Sequence, residues 1–165
     1  TAADADVIAD LVNRAYRPLP EASGWTHESA MLTGDRISAT QVRELLRPAS
    51  QVLLLCEDDC VLACVHVELK GDSVYIGMLA TDPAYQGLGL GKQLLAYAEQ
   101  YTVIFWQVCS VRMSVLSQRP ELLAFYERRG YRLTGDSEPF PLAAGVGLPL
   151  VDDIQVLGLA KTLVA

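Results

Sequence analysis

The stretch Asp82-Pro83-Ala84-Tyr85-Gln86-Gly87-Leu88-Gly89-Leu90-Gly91-Lys92 leaves an apolar run, Ser73 to Thr81, and enters a segment with helical spacing. Proline cannot donate to a sheet ladder, so Asp82-Pro83 ends a strand. Three glycines at alternate positions let the backbone turn tightly and come close to a ligand. Their N–H groups, added to the positive end of a helix dipole, form a cradle for an anion. Lys92 adds a positive charge at the helix start. The pattern predicts a polyphosphate-bearing ligand. It is not the G-x-x-x-x-G-K-[ST] phosphate loop, because Gly87 to Gly91 is too short and Gln93 follows the lysine. It is not the G-x-G-x-x-G dinucleotide fingerprint either. On spacing alone, a plain strand-to-helix turn remains the other reading.

The rest of the chain bounds what that loop serves. Its 165 residues suit one domain, 1–165, with a core that needs no staples. Hydrophobic residues are 51% and charged residues 20%, which excludes a disordered chain. Thirteen Lys and Arg against twenty Asp and Glu give a net charge of −7. That charge argues against nucleic acid or an anionic membrane as a partner. No apolar run reaches the 18 or so residues that a membrane span needs. Cys56, Cys60, Cys64 and Cys109 read as reduced, buried thiols of a cytoplasmic protein. No C-x-x-C pair is present, and His27 and His66 are the two histidines, so no metal site is expected.

Periodicity orders the elements. Helices fit Ala3 to Arg17 and Ser38 to Leu46. Strands fit Gln51 to Cys56, Val61 to Leu69 and Ser73 to Thr81, joined by turns at Glu57-Asp58-Asp59 and Gly71-Asp72. A helix from Gly89 to about Tyr101 follows, then a strand, Val108 to Leu116. Val103-Ile104-Phe105-Trp106 reads as core. Pro120 to Arg129 is a short helix with proline in its first turn and Gly130 after its end. Tyr131 to Thr134 is a strand, Glu138 to Asp153 a long loop, and Ile154 to Leu163 the last strand. The order predicts a mixed α/β or α+β sheet with helices packed on it.

Two motifs carry a resemblance. Gln86-x-x-Gly89-x-Gly91 matches the Q/R-x-x-G-x-G/A signature of the GNAT acyltransferase superfamily. Further on, Leu123-Ala124-Phe125-Tyr126-Glu127-Arg128-Arg129-Gly130-Tyr131 resembles its second motif, a short helix ending F-Y-x-x-x-G-F/Y. The resemblance runs from the first helix to the last strand, and places the family's opening strand before Thr1. It implies a central, mixed and mostly antiparallel twisted sheet, flanked by helices and splayed where acyl-coenzyme A lies. It implies acetyl-CoA as co-substrate, with transfer to a primary amine by direct attack; a fold that binds acyl-CoA without turnover is the alternative. It leaves a homodimer open.

The resemblance also assigns residues. The pyrophosphate falls to the backbone of Gln86, Gly87, Leu88, Gly89, Leu90 and Gly91, with Lys92 next. The pantetheine arm pairs with Leu79, Ala80 and Thr81 in the manner of an added strand. Tyr126 stands where the family places the tyrosine that protonates the leaving thiolate; packing beside Phe125 is its other reading. The oxyanion donor would be an N–H at Leu79 or Ala80. Where some members carry Glu or His as base, this chain has Tyr75. Glu68, His66 and Glu28 are substitutes, His66 and Glu68 also fitting a solvated sheet face; a base acting through a chain of waters is the other reading. Where the family commonly has Asn, this chain has Arg119, a contact for coenzyme A or substrate, or a salt-bridge partner of Glu121. Trp25, Glu28 and Phe140 are expected on the acceptor side, and the acidic total suits a cationic acceptor. Arg128-Arg129 complement the helix dipole or reach a phosphate.

Overall fold

The computed structural model describes residues 1–17, 32–141, 144, 147–150 and 153–164. Trp25 and Glu28 lie outside them. Helix α1, Ala5–Tyr16, buries Ile8, Leu11, Val12 and Ala15 on one stripe, as spacings of three and four require. Each of the large side chains contributes roughly 1.5–3 kcal/mol by leaving water. Helix α2, Ala39–Leu45, opens with a reciprocal cap. There the Ser38 hydroxyl accepts from the Gln41 N–H at 3.1 Å, and the Ser38 N–H donates to Gln41 Oε1 at 2.8 Å.

Strands β2 (Ser50–Glu57), β3 (Cys60–Lys70) and β4 (Ser73–Thr81) form the expected antiparallel meander. Helix α3 is Leu90–Trp106, β5 is Ser110–Leu116, α4 is Pro120–Glu127, β6 is Arg132–Pro139 and β8 is Gln155–Thr162. The main sheet has the order β2-β3-β4-β5-β8-β6. Its one parallel pair is β4 with β5. Two short strands, β1 (Leu32–Thr33) and β7 (Leu148–Pro149), pair separately. Helices α3 and α4 pack on one face over Val65, Ile76, Val111 and Leu159. Helices α1 and α2 cover the other face over Cys64, Met78 and Ala80. This is the mixed sheet with packed helices expected from the element order, and the mostly antiparallel sheet that the resemblance implies.

The structure corrects several local expectations. Helix α3 runs five residues further than its apolar spacing suggested, ending at Gln107 in the left-handed region. Within that last turn, Val103 and Trp106 pack on the core, but Ile104 and Phe105 are about two-thirds exposed (66% and 64%). A helix presents consecutive residues around its whole circumference, so a four-residue apolar run cannot all face inward. Strand β6 reaches Pro139 and β7 lies inside the expected loop, because both find partners distant in sequence. Cys64 is buried and Cys109 half-buried, but Cys56 and Cys60 are exposed beside the turn of the β2–β3 hairpin. Burial pushes the Cys64 thiol up to about 12. Among the described residues no His, Cys, Asp and Glu cluster could hold a metal, and no helix is long and apolar enough to cross a membrane.

Candidate active site

The site begins with a fault in β4. Cys64 pairs with Ala80 and His66 with Gly77, so Val65 alone opposes Met78 and Leu79. Met78 adopts φ +53°. One extra residue reverses the alternation of the strand. Val74 and Ile76 face α3 and α4 before the bulge, and Leu79 faces them after it. Met78 and Ala80 turn to the α1 side. The Tyr16 hydroxyl at the end of α1 donates to the Leu79 carbonyl at 2.7 Å. The parallel ladder to β5 holds only at Val74–Val111 and Tyr75–Arg112. Beyond those pairs the two strands separate.

The glycine loop closes one end of this opening. The Asp82 carboxylate accepts from the Ala84 N–H at 3.0 Å and caps a short turn, Pro83–Tyr85. Gly87 and Gly89 have φ of +85° and +76°, and Gly89 is the N-cap residue of α3. Left-handed backbone at these two points aims the loop at the α3 N-terminus, where the first N–H groups lack helical partners. The loop lines a cavity of about 200 Å³ together with Leu79, Thr81, Tyr126 and Arg129. Gln86, Gly87, Gly89, Leu90, Gly91 and Lys92 all line it, whereas Leu88 points away, 69% exposed. The Gln86 side-chain amide donates to the Thr81 carbonyl at 3.2 Å. Arg129 lies over the Phe125 ring, 3.8 Å from its centre, and its Nη1 donates to the Phe125 carbonyl at 2.8 Å. Its Nε is buried without a hydrogen-bond partner. The bond to the Phe125 carbonyl fits the first of the two sequence readings of Arg128-Arg129, a cation at the end of α4, and Arg129 also lines the cavity wall.

A second cavity, also about 200 Å³, fills the gap between β4 and β5. Tyr75, Met78, Ser114, Val115, Phe140, Arg17 and Arg36 are among its lining residues. Tyr16, Leu122 and Tyr126 line both cavities. Tyr126 therefore stands between them. Its ring packs edge-on against Phe125 and Tyr131, with centres 5.3 and 5.9 Å away. Packing and position at the junction thus hold together.

The other candidates divide. Tyr75 lines the second cavity, and its hydroxyl is 2.8 Å from Ser114 Oγ. Ala80 faces the α1 layer, leaving only its backbone for a ligand. Arg119 is 2% exposed, lines neither cavity, and donates from Nε to Glu121 at 2.5 Å. Glu68 lines neither cavity and pairs with Arg47 and Lys70. His66 is not on a solvated face: it is 6% exposed, with Nε2 2.8 Å from Ser50 Oγ. The sheet is covered on both sides, which alternation along one strand cannot reveal. His66 lines a third cavity that shares Arg36, Tyr75, Gly77 and Met78 with the second.

Burial holds the His66 imidazole below its ordinary value of 6.5; Arg47, Lys70 and Arg36 add to this and Glu68 opposes it. The unfolded chain therefore takes up the proton first as pH falls. Stability from the neutral ring is complete above 6.5 and is lost as pH drops through the lower folded value. The melting temperature is expected to fall below pH 6.5, with a smaller slope in His66→Gln. Thermal melts from pH 7.5 to 5 read this.

A family model described as an acetyltransferase (GNAT) domain matches residues 48–133. The chain belongs to the GNAT acetyltransferase family. The match spans the bulge, the glycine loop and Tyr126. No curated protein matches the chain by sequence. Among solved structures, the ribosomal-protein-S18-alanine N-acetyltransferase of Escherichia coli superposes with a TM-score of 0.72 at 17% identity, covering 100% of this chain and 91% of that one. The yncA protein of Salmonella typhimurium, solved with its cofactor acetyl-CoA, gives 0.68 at 16%, over 100% and 91%. A GNAT acetyltransferase of Elizabethkingia anophelis with acetyl-CoA bound gives 0.64 at 16%, over 76% and 84%. At such identities these likenesses establish the fold.

Sequence reasoning missed Tyr16, Arg17 and Arg36 as site residues. They come from the end of α1 and the segment before α2, and carry no motif. Only the packing of α1 across β4 brings them to the opening.

Proposed function

We propose that this GNAT protein transfers acetyl from acetyl-CoA to a primary amine. The observation that carries the reading is the position of Tyr126, shared by the glycine-loop cavity and the cavity between the splayed strands. The pyrophosphate lies against the loop amides and the α3 N-terminus, with Lys92 and Arg129 adding charge. The pantetheine follows Leu79, Ala80 and Thr81, whose edge β5 leaves free. The amine enters from the β4–β5 cavity.

The neutral amine nitrogen bonds to the thioester carbonyl carbon. The tetrahedral oxyanion is met by a backbone N–H at the bulge. On collapse the C–S bond breaks, and the Tyr126 hydroxyl gives its proton to the departing thiolate. A phenol, with an ordinary value of about 10, is protonated and able to do so at neutral pH. The nitrogen's excess proton passes through water toward His66, which is neutral at pH 7 and lines the adjoining cavity. A second reading is an acyl-CoA sensor without turnover. It is favoured by the absence of a carboxylate among the described residues lining the acceptor cavity.

Thermal stabilisation by acetyl-CoA, against ATP and NAD, tests the ligand, and thiol release in an amine panel tests turnover. Stabilisation by acetyl-CoA with amine-dependent thiol release supports the enzyme. Stabilisation without release supports the sensor. A shift with ATP or NAD alone overturns both.

A further inference from the structure

The acceptor cavity is lined by two guanidinium groups, Arg17 and Arg36, and by no Asp or Glu among the described residues. That is unexpected in a chain with twenty acidic and thirteen basic residues. Arg36 is half-buried and fixed in place. Its backbone N–H donates to Asn13 Oδ1 at 2.7 Å, and its guanidinium sits 5.6 Å from the centre of the Tyr16 ring. Among the described residues no carboxylate pairs with Arg36. A guanidinium in a partly desolvated wall presents a planar fork of donors that fits an oxyanion in two-point contact. Low-dielectric walls focus its field into the cleft and repel a polycation. Tyr126, which lines the same cavity, marks where the reacting nitrogen must lie.

Resting on the acetyl-transfer reading, we infer that the acceptor amine carries an oxyanion, a carboxylate or a phosphate, held by Arg36 with Arg17 on the same wall. This reverses the cationic acceptor that net charge suggested. Net charge sums the whole surface, whereas the acceptor meets only the cleft.

The test compares kcat/KM, read by thiol release with acetyl-CoA. The carboxylate arm pairs the standard L-amino acids with their methyl esters. The phosphate arm pairs phosphoethanolamine with ethanolamine. Spermidine is the polycation. In at least one arm the anionic amine is expected to exceed its neutral partner by about tenfold or more, the scale of one charge-assisted contact. Arg36→Gln is expected to bring that ratio toward one, Arg36→Lys to keep part of it, and acetyl-CoA to stabilise both variants as it does the parent. Preference for esters, ethanolamine or spermidine overturns the inference and leaves acetyl transfer standing. So does failure of every anionic amine while acetyl-CoA still stabilises the protein. A ratio untouched in both Arg36 variants overturns the role of Arg36. Loss of acetyl-CoA stabilisation in the parent overturns the acetyl-transfer reading as well.

Discussion

Gly89→Val is expected to abolish stabilisation by acetyl-CoA while the protein still folds. Gly89 holds φ +76° at the N-cap of α3, with nothing within 4 Å of a Cβ built there. Space is therefore not the obstacle. A β-branched residue in the left-handed region costs about 1–2 kcal/mol, and the loop relieves that strain by rotating its peptides out of the cradle. The parent at about 100 times Kd gains roughly 2.7 kcal/mol from the ligand, a rise of about 5 °C or more for a chain of this size. The variant should melt a few degrees lower without ligand and show no rise with it. Gly71→Val is the control. Gly71 has φ +64° in the β3–β4 turn and equally open surroundings, so it carries the same strain away from the cavity. It should lose similar stability and keep the ligand rise. Equal loss of the rise in both variants, or its retention in Gly89→Val, would refute the cradle.

That loop was legible because its requirements are local. Positive φ at a helix entry calls for glycine, and three glycines after Asp82-Pro83 announce it. The meander was legible for the same reason, with strong turns at residues 57–59 and 71–72. The bulge was not. Met78 takes φ +53° inside Val74-Tyr75-Ile76-Gly77-Met78-Leu79-Ala80, a run whose Gly77 is one residue away from the kink. A strained residue held by long-range contacts leaves no local mark. Here the register against β3 and the Tyr16 bond to the Leu79 carbonyl impose it. The site divides along the same line. Gln86 to Lys92 and Tyr126 sit on motifs, whereas His66 and Arg36 acquire their surroundings only when α1 and α2 cover the sheet. Arg119 was ambiguous because an arginine two residues before a glutamate serves either partner equally well in sequence. In the structure its side chain is buried and its Nε donates to Glu121.

The largest catalytic effect is expected at Tyr126. Tyr126→Phe removes one oxygen and keeps the ring, so the contacts with Phe125 and Tyr131 persist. Acetyl-CoA stabilisation should therefore match that of the parent within a degree or so. The thiolate leaving group then departs without a positioned proton donor. General acid catalysis supplies about 10²–10⁴-fold, so kcat should fall by roughly 10²–10³. The contact with the departing sulfur strengthens only as the C–S bond breaks, so kcat and kcat/KM should fall together, with KM for the amine little changed. A packing role predicts a different pattern: the ring contacts are kept, so kcat and the melting temperature both stay near those of the parent. The two are separated by steady-state thiol release and thermal melts on the same preparation. If kcat in Tyr126→Phe stays within about twofold of the parent, the proton reaches the thiolate from water, and the tyrosine between the two cavities is a wall.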